Sequence, residues 1–236
     1  MSSRTEAVSA FTSEDVYRAQ QAVYRTGSGQ DAREVLRAAV TRLNPGDLLE
    51  VGCGEGELAQ AAMAHGHRVV AVDGSERMVE LARARGVDAQ VSLLPTLPYP
   101  SDSFDLAVAA WVLHYMTDEQ VKLSLRELAR VVRPGGNLIL ATNSDRHMAE
   151  LWARLPSARY RLTFPAERAS ELLSSVGAHA QITEVEGTVV FRDDAQARQF
   201  LRNQVRPASA VDRMTPIEGS LTVTRRAAVI VAEFPR

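Results

Sequence analysis

The fold is decided by residues 48–56, Leu-Leu-Glu-Val-Gly-Cys-Gly-Glu-Gly. An apolar run ends there on three glycines spaced two apart, and a helical pattern follows over residues 57–63. A second apolar run, residues 69–72, ends on Asp73. This order predicts a strand, a glycine-rich turn, a helix and a second strand with a carboxylate at its tip. In a parallel sheet, that arrangement builds a nucleoside pocket at the carboxyl ends of the strands.

The rest of the chain continues the alternation of strands and helices. Further strands are expected over residues 87–93, 104–110, 137–142, 181–191 and 221–234, with interruptions at Gly187 and at Arg225-Arg226. Helices are expected from residue 13 to a break at residues 27–29, and over residues 35–43, 75–85, 118–132, 146–155, 165–176 and 194–205. Parallel strands followed by a closing antiparallel pair predict an α/β fold with a seven-stranded mixed sheet and helices on both faces.

Composition excludes several classes of function. The chain has 236 residues and a formal net charge of −2, so no overall positive field favours nucleic acid. Cys53 is the only cysteine, which rules out an internal disulfide and argues against a zinc site. No apolar run reaches the ~20 residues of a membrane span, and the polar start does not look like a signal peptide. We therefore expect a cytoplasmic protein with no metal, no membrane contact and no nucleic-acid partner, either a monomer or a homodimer.

Four segments, in order and at matching distances, resemble one known family. Residues 48–56 are similar to motif I of class I S-adenosylmethionine-dependent methyltransferases, and residues 69–78 are similar to the acidic motif of their second strand. Residues 97–105 and 125–136 look like the stretches before the fourth and fifth strands. The resemblance covers about residues 45–145 and is greatest to the small-molecule group called type 11. It implies a Rossmann-like fold and S-adenosylmethionine as cofactor, with S-adenosylhomocysteine as product.

The resemblance also implies a division of the chain and a set of cofactor contacts. One methyltransferase domain, residues 1–236, would comprise an N-terminal helical lid (1–44), a cofactor-binding core (45–145) and substrate-side helices with closing strands (146–236). The implied cofactor-binding residues are Glu50, Gly52, Cys53, Gly54, Asp73, Gly74, Met78, Leu93, Leu94 and Ala110.

Physical chemistry supports these assignments. Glycines let the backbone approach the methionine portion, and a carboxylate at the tip of the second strand can accept from both ribose hydroxyls. Glu50 is placed to hold the loop or to reach the amino group through water. The family's frequent acid after the third strand is missing at residues 92–95, so apolar contacts and backbone groups would hold the adenine. A dinucleotide is the alternative ligand, but its Gly-x-Gly-x-x-Gly spacing differs from the spacing found here.

The methyl acceptor is expected at the rim beyond the fourth and fifth strands. His114 and His147 are candidate general bases because an imidazole titrates near neutral pH; a histidine satisfied within a helix, or one facing solvent, is the alternative for each. The candidate substrate or lid residues, for which core or helix packing is the alternative, are Tyr17, Tyr24, Trp111, Tyr115 and Asn143. Arg225-Arg226 is interpreted as a solvated face, with contact to an acidic substrate as the other possibility.

The function that follows is methyl transfer to O, N or C of a small-molecule acceptor, mainly by proximity and orientation. Methylation of RNA or protein, and a non-catalytic cofactor-binding protein of the same fold, are the alternatives.

Overall fold

The computed structural model describes residues 22–24, 27–156, 161–202, 204 and 208–235. The strands are β1 Ser28–Gly29, β2 Asp47–Val51, β3 Arg68–Asp73, β4 Asp88–Val91, β5 Phe104–Ala110, β6 Val132–Asn143, β7 His179–Phe191 and β8 Leu221–Glu233. The helices are α1 Ala32–Arg42, α2 Glu57–Ala64, α3 Glu76–Ala84, α4 Asp118–Val131, α5 Ala149–Trp152, α6 Ala169–Ser174 and α7 Asp194–Arg202. Short 3-10 turns occupy Leu113–Tyr115, Ala166–Arg168 and Ala208–Arg213. The predicted helix from residue 13 lies outside the described residues except at 22–24, which are helical.

The strands form one mixed sheet in the order β1-β7-β8-β6-β5-β2-β3-β4. Strands β2 to β6 pair in parallel, whereas β8 lies antiparallel between β6 and β7. The predicted mixed α/β fold is confirmed, but the described residues form eight strands rather than the predicted seven. The additional strand is β1, which was predicted only as a break. Its two residues pair antiparallel with Thr188 and Gly187 of β7.

Apolar residues on adjacent positions of the central strands pack on opposite faces of the sheet. Leu48 and Ile139 contribute to the cluster that includes Leu36 of α1, whereas the next residue in each strand contributes to the cluster that includes Leu125 of α4. Burial on both faces explains why these strands are apolar without alternation. The helices therefore cover both faces of the sheet, so a binding site is expected at the ends of the strands.

The last two strands are longer and more regular than the sequence indicates. β7 and β8 each run 13 residues without interruption, through Gly187 and through Arg225-Arg226. The prediction of breaks is wrong at both places because the antiparallel ladder between these two strands supplies hydrogen bonds along their whole length.

The helix predicted over residues 146–155 is also shorter than expected. It is reduced to Ala149–Trp152, because Met148 has a φ of 52° and donates its amide to Thr224 O of β8 at 2.8 Å. That bond ties the segment after β6 to the sheet instead of to a helix.

Among the described residues, no helix is both long and apolar enough to cross a membrane.

Candidate active site

The glycine turn lies at the carboxyl end of β2, against the backbone of the neighbouring strand. Gly52 N and Cys53 N donate to Val72 O of β3 at 2.7 and 3.1 Å. Gly52 has a φ of 74°, and a Cβ at this position would lie 2.4 Å from Val112 Cγ2. A side chain at Gly52 would therefore be strained and would also collide with the segment that follows β5. The turn presents bare backbone to the edge of the sheet.

Asp73 ends β3 and is fixed by backbone amides. Its Oδ2 accepts from Gly54 N at 2.9 Å, and its Oδ1 accepts from Ser75 N at 2.9 Å. Burial raises the pKa of Asp73, although the amides of Ser75 and Gly54 oppose this shift by stabilising the carboxylate. The amide of Gly74 also stabilises this carboxylate, which has about four acceptor sites and can therefore still accept from a ligand hydroxyl.

Glu50 lies beneath the same turn and is only 5% exposed. Burial raises the pKa of Glu50 to about 8; the Ala59 amide opposes the rise, and the negative charge of Asp73 adds to it. Its Oε2 is buried without a hydrogen-bond partner among the described residues. At a pKa of about 8 this carboxyl is mainly protonated at neutral pH in the ligand-free protein, and a cationic donor beside it would favour its ionised, accepting form. The amino group of S-adenosylmethionine is such a donor, so the residues present fit this cofactor.

The predicted adenine side is apolar and closely packed. A Cβ on Gly74 would lie 2.2 Å from Leu93 Cδ2, so these two residues are in direct contact. Met78 and Leu94 are buried, at 2% and 3% exposure. Cys53 is buried in the turn, and burial raises the pKa of its thiol, as expected of a packing residue rather than a reactive thiol.

Trp111 follows Ala110 at the end of β5 in an unusual backbone conformation. Its φ is 56°, and its amide donates to Ala141 O of β6 at 2.7 Å. Its indole Nε1 donates to Asn143 Oδ1 at 3.1 Å. A left-handed conformation of a bulky residue costs about 1–3 kcal/mol and is typical of functional sites. The structure thus brings Trp111 and Asn143 together at the predicted rim.

The two candidate bases lie near each other and are both neutral. His147 is 5% exposed, and its Nδ1 lies 2.9 Å from Arg226 O. Burial lowers the pKa of His147 to about 4. Burial, with a smaller contribution from His147, lowers the pKa of His114 to about 3. The alternative of a solvent-facing His147 is wrong because its segment folds onto β8. Imidazoles with such low pKa values are weak bases at neutral pH.

The structure describes only some of the tyrosines that were predicted to form a lid. Tyr17 lies outside the described residues, and so does the side chain of Tyr115, whose backbone forms part of the 3-10 turn after β5. The ring of Tyr24 lies 6.1 Å from that of Phe200 in α7 and 6.3 Å from that of His147. Tyr24 therefore packs against a helix and also borders the histidines.

The structure adds contacts that the sequence did not indicate. Ser144 Oγ donates to Glu167 Oε1 at 2.5 Å, and Asp145 N donates to Glu167 Oε2 at 3.1 Å, which ties the segment after β6 to the turn before α6. Arg33 and Arg225 both lie close enough to the Tyr24 hydroxyl to act on its pKa. Glu167 is 23 residues from Ser144 and Arg225 is 201 residues from Tyr24, so no local pattern could have paired them. Among the described residues, no three His, Cys, Asp or Glu side chains are grouped to hold a metal ion.

Comparison with known proteins agrees with this geometry. Residues 49–140 match the family described as Methyltransferase domain, Methyltransf_11. The chain is 40% identical over 113 residues to the 27-O-demethylrifamycin SV methyltransferase of Amycolatopsis mediterranei, a match that covers 44% of this chain and 41% of that protein. It is 26% identical over 198 residues to the malonyl-[acyl-carrier protein] O-methyltransferase of Serratia marcescens, covering 81% of this chain and 75% of that protein. The match thus spans less than half of the rifamycin enzyme.

A solved structure shows the same fold. The YcgJ protein of Bacillus subtilis superimposes with a TM-score of 0.63 and 19% identity, over 86% of this chain and 99% of that one. The shared features are a mixed α/β sheet and helices on both of its faces. Residues 49–140 thus match the methyltransferase domain family, and the fold agrees with that match.

Proposed function

We propose that the protein transfers a methyl group from S-adenosylmethionine to a small-molecule acceptor. The observation that carries the proposal is the pair of carboxylates on either side of the glycine turn. Asp73 is held at the end of β3 with lone pairs to spare, and Glu50 is buried with an oxygen that has no described partner. One group suits vicinal hydroxyls and the other suits an ammonium group. A nucleoside that carries an amino acid has both.

The cofactor contacts follow from this pair. Asp73 would accept from the ribose hydroxyls, and Glu50 would serve the amino group directly or through water. The backbone of the turn at Gly52, which carries no side chain, would lie close to the methionine portion of the cofactor. The apolar surface at Gly74 and Leu93 would hold the adenine, in place of the acid that is missing from residues 92–95.

Bound S-adenosylmethionine supplies a methyl group on a sulfonium that is already electrophilic. The chain has to orient the acceptor and exclude water, and these effects can provide much of the rate. Trp111 and Asn143 would position the acceptor, because their mutual hydrogen bond fixes them at the rim. His114 and His147, which are neutral and weakly basic, would contribute shape and hydrogen bonding more than proton removal.

The charge of the chain favours a small acceptor over RNA. The net charge of −2 gives no general attraction for RNA. Two of the relatives are named as methyltransferases of 27-O-demethylrifamycin SV and of malonyl-[acyl-carrier protein], whereas two others, 32% and 30% identical, are named probable tRNA methyltransferase 9B. We propose that this chain acts on a metabolite or on a carrier-bound acyl group, and not on RNA.

Calorimetry tests the cofactor assignment. S-adenosylmethionine is titrated into the wild type and into the variants Asp73→Ala and Asp88→Ala. Asp88 is the control because it is an exposed acid at the start of the neighbouring strand β4, at the opposite end of the strands from Asp73. The wild type and Asp88→Ala are expected to bind, and Asp73→Ala is expected to bind at least about tenfold more weakly, since it loses hydrogen bonds to a charged group. Failure of the wild type to bind would refute the proposal. Binding without S-adenosylhomocysteine formation across small-molecule, RNA and protein acceptors would favour the non-catalytic alternative.

A further inference from the structure

The guanidinium of Arg225, in β8, lies next to two glycines. A Cβ on Gly187, its cross-strand partner, would lie 2.8 Å from Arg225 Nη2. A Cβ on Gly27 would lie 3.1 Å from the same atom and 3.2 Å from Cζ. Backbone oxygens also lie close to these positions, with Thr188 O 2.2 Å from a Cβ on Gly27 and Ser28 O 2.8 Å from a Cβ on Gly187. The guanidinium of Arg225 therefore lies against the backbone of two residues without side chains.

The guanidinium of Arg225 lies on the side of the sheet where the acceptor is expected. Asn143, the last residue of β6, pairs with Ala227 of β8. Arg225 precedes Ala227 by two residues, and because β8 runs antiparallel to β6, Arg225 lies on the same face of the sheet and about 7 Å beyond the end of β6. Asn143 holds the Trp111 indole. Arg225 therefore lies beside the residues proposed to position the acceptor.

Positive groups converge on this place. Arg33, in the first turn of α1, and Arg225 both act on the Tyr24 hydroxyl. Burial raises the pKa of Tyr24 to about 12, so this hydroxyl stays protonated and can donate. Asp31 caps α1 by accepting from Arg33 N at 2.9 Å. The neighbouring Arg226 points to the opposite face, where its Nε pairs with Glu186 at 3.2 Å.

The guanidinium of Arg225 is only partly satisfied. Its Nη1 and Nη2 donate to Tyr24 O and Gln30 O at 3.5 and 3.4 Å, which are long bonds to neutral carbonyls. Its Nε is buried and has no acceptor among the residues that the structure describes. Arginine presents its donors in a planar fork that matches a carboxylate. A partly buried cation with an unmet donor is suited to an anionic ligand.

We propose that the methyl acceptor carries a carboxylate that binds Arg225, with Arg33 and the Tyr24 hydroxyl beside it. This inference rests on the proposed function and names the class of acceptor. The carboxylate gives the acceptor a fixed point on β8, two residues from Ala227, which pairs with Asn143. Specificity for a charged acceptor would then be determined by residues of β8 and α1, and these two elements do not bind the cofactor.

The test is a binding comparison in the complex with S-adenosylhomocysteine. Benzoate, phenylacetate and octanoate are titrated into the saturated complex, and each is compared with its neutral amide of the same shape. The wild type is expected to bind at least one acid about tenfold or more tightly than its amide, because charge-assisted bonds are stronger than neutral ones. Arg225→Gln should abolish that preference, Arg225→Lys should keep part of it, and Arg226→Gln should keep it fully.

The outcomes separate this inference from the proposed function. Each variant is first titrated with S-adenosylhomocysteine, and retained affinity shows that it is folded and that the cofactor site is intact. No binding of S-adenosylhomocysteine by the wild type would refute the proposed function itself. Three results would overturn only the assignment of Arg225, provided that the cofactor binds. They are equal affinity for acid and amide, no binding of any acid, and an unchanged preference for the acid in Arg225→Gln.

Discussion

Glu50→Gln should stabilise the ligand-free protein in a pH-dependent way. Burial raises the pKa of Glu50 from 4.5 to about 8. Below pH 4.5 the carboxyl is protonated in both the folded and unfolded states, so it costs nothing. Between pH 4.5 and 8 the unfolded chain ionises first, so the wild type loses stability as the pH rises, by up to about 1.4 kcal/mol per unit. Above pH 8 the whole cost is present.

The size of the effect follows from the shift. A change from 4.5 to about 8 corresponds to about 4–5 kcal/mol if nothing relaxes. We expect about 2–3 kcal/mol at pH 8 and less than about 1 kcal/mol at pH 5, because the structure adjusts around a buried charge. The neutral glutamine has no such dependence, so Glu50→Gln should exceed the wild type in stability by an amount that grows with pH. The same variant should bind S-adenosylmethionine more weakly, since it loses the charge that is proposed to serve the ammonium.

Urea unfolding at pH 5, 6, 7 and 8 measures this difference, because all other titrating groups are shared by the two proteins. Glu57→Gln, which neutralises an exposed acid at the start of α2, is the matched control and should run parallel to the wild type. Parallel curves for Glu50→Gln and the wild type would refute the reasoning. So would a variant that is less stable than the wild type at pH 8.

Three further perturbations test separate parts of the structure. Thr117→Ala removes the capping box at the start of α4 and should cost about 1 kcal/mol in urea unfolding while leaving cofactor affinity unchanged; a changed affinity would contradict this. Gly52→Ala should weaken S-adenosylmethionine binding about tenfold or more in calorimetry, and adding Val112→Ala should recover only part of the loss, because it removes the clash but not the backbone strain. His114 and His147 should keep the NMR shifts of neutral imidazole down to about pH 5, and a titration near pH 6.5 would show that burial does not control them.

The cofactor side of the site could be predicted because its geometry is local. A strand, a glycine turn, a helix and a second strand place Gly52 and Asp73 at one edge whatever the rest of the chain does. The apolar character of β5 likewise marks a strand buried on both faces. The structure adds what the pattern does not contain, namely that Glu50 is left with an oxygen that has no described partner.

The acceptor side could not be predicted because it depends on pairings between distant residues. Gly187 looks like a break in a strand until β1 and Arg225 are placed against it. Residues 146–148 look helical until Met148 bonds to β8. Arg225 looks like a solvated residue, since nothing near it in sequence shows that Gly27 makes room for its guanidinium. Each of these features is created by the antiparallel strands that close the sheet.

A crystal structure of the protein with S-adenosylhomocysteine tests the central claim most directly. The account predicts that the ligand lies across the glycine turn, with its ribose hydroxyls within hydrogen-bond distance of Asp73. It also predicts that the ligand's amino group lies within reach of Glu50, directly or through one water molecule. A ligand bound elsewhere, or bound at this edge without contact to either carboxylate, would contradict the account.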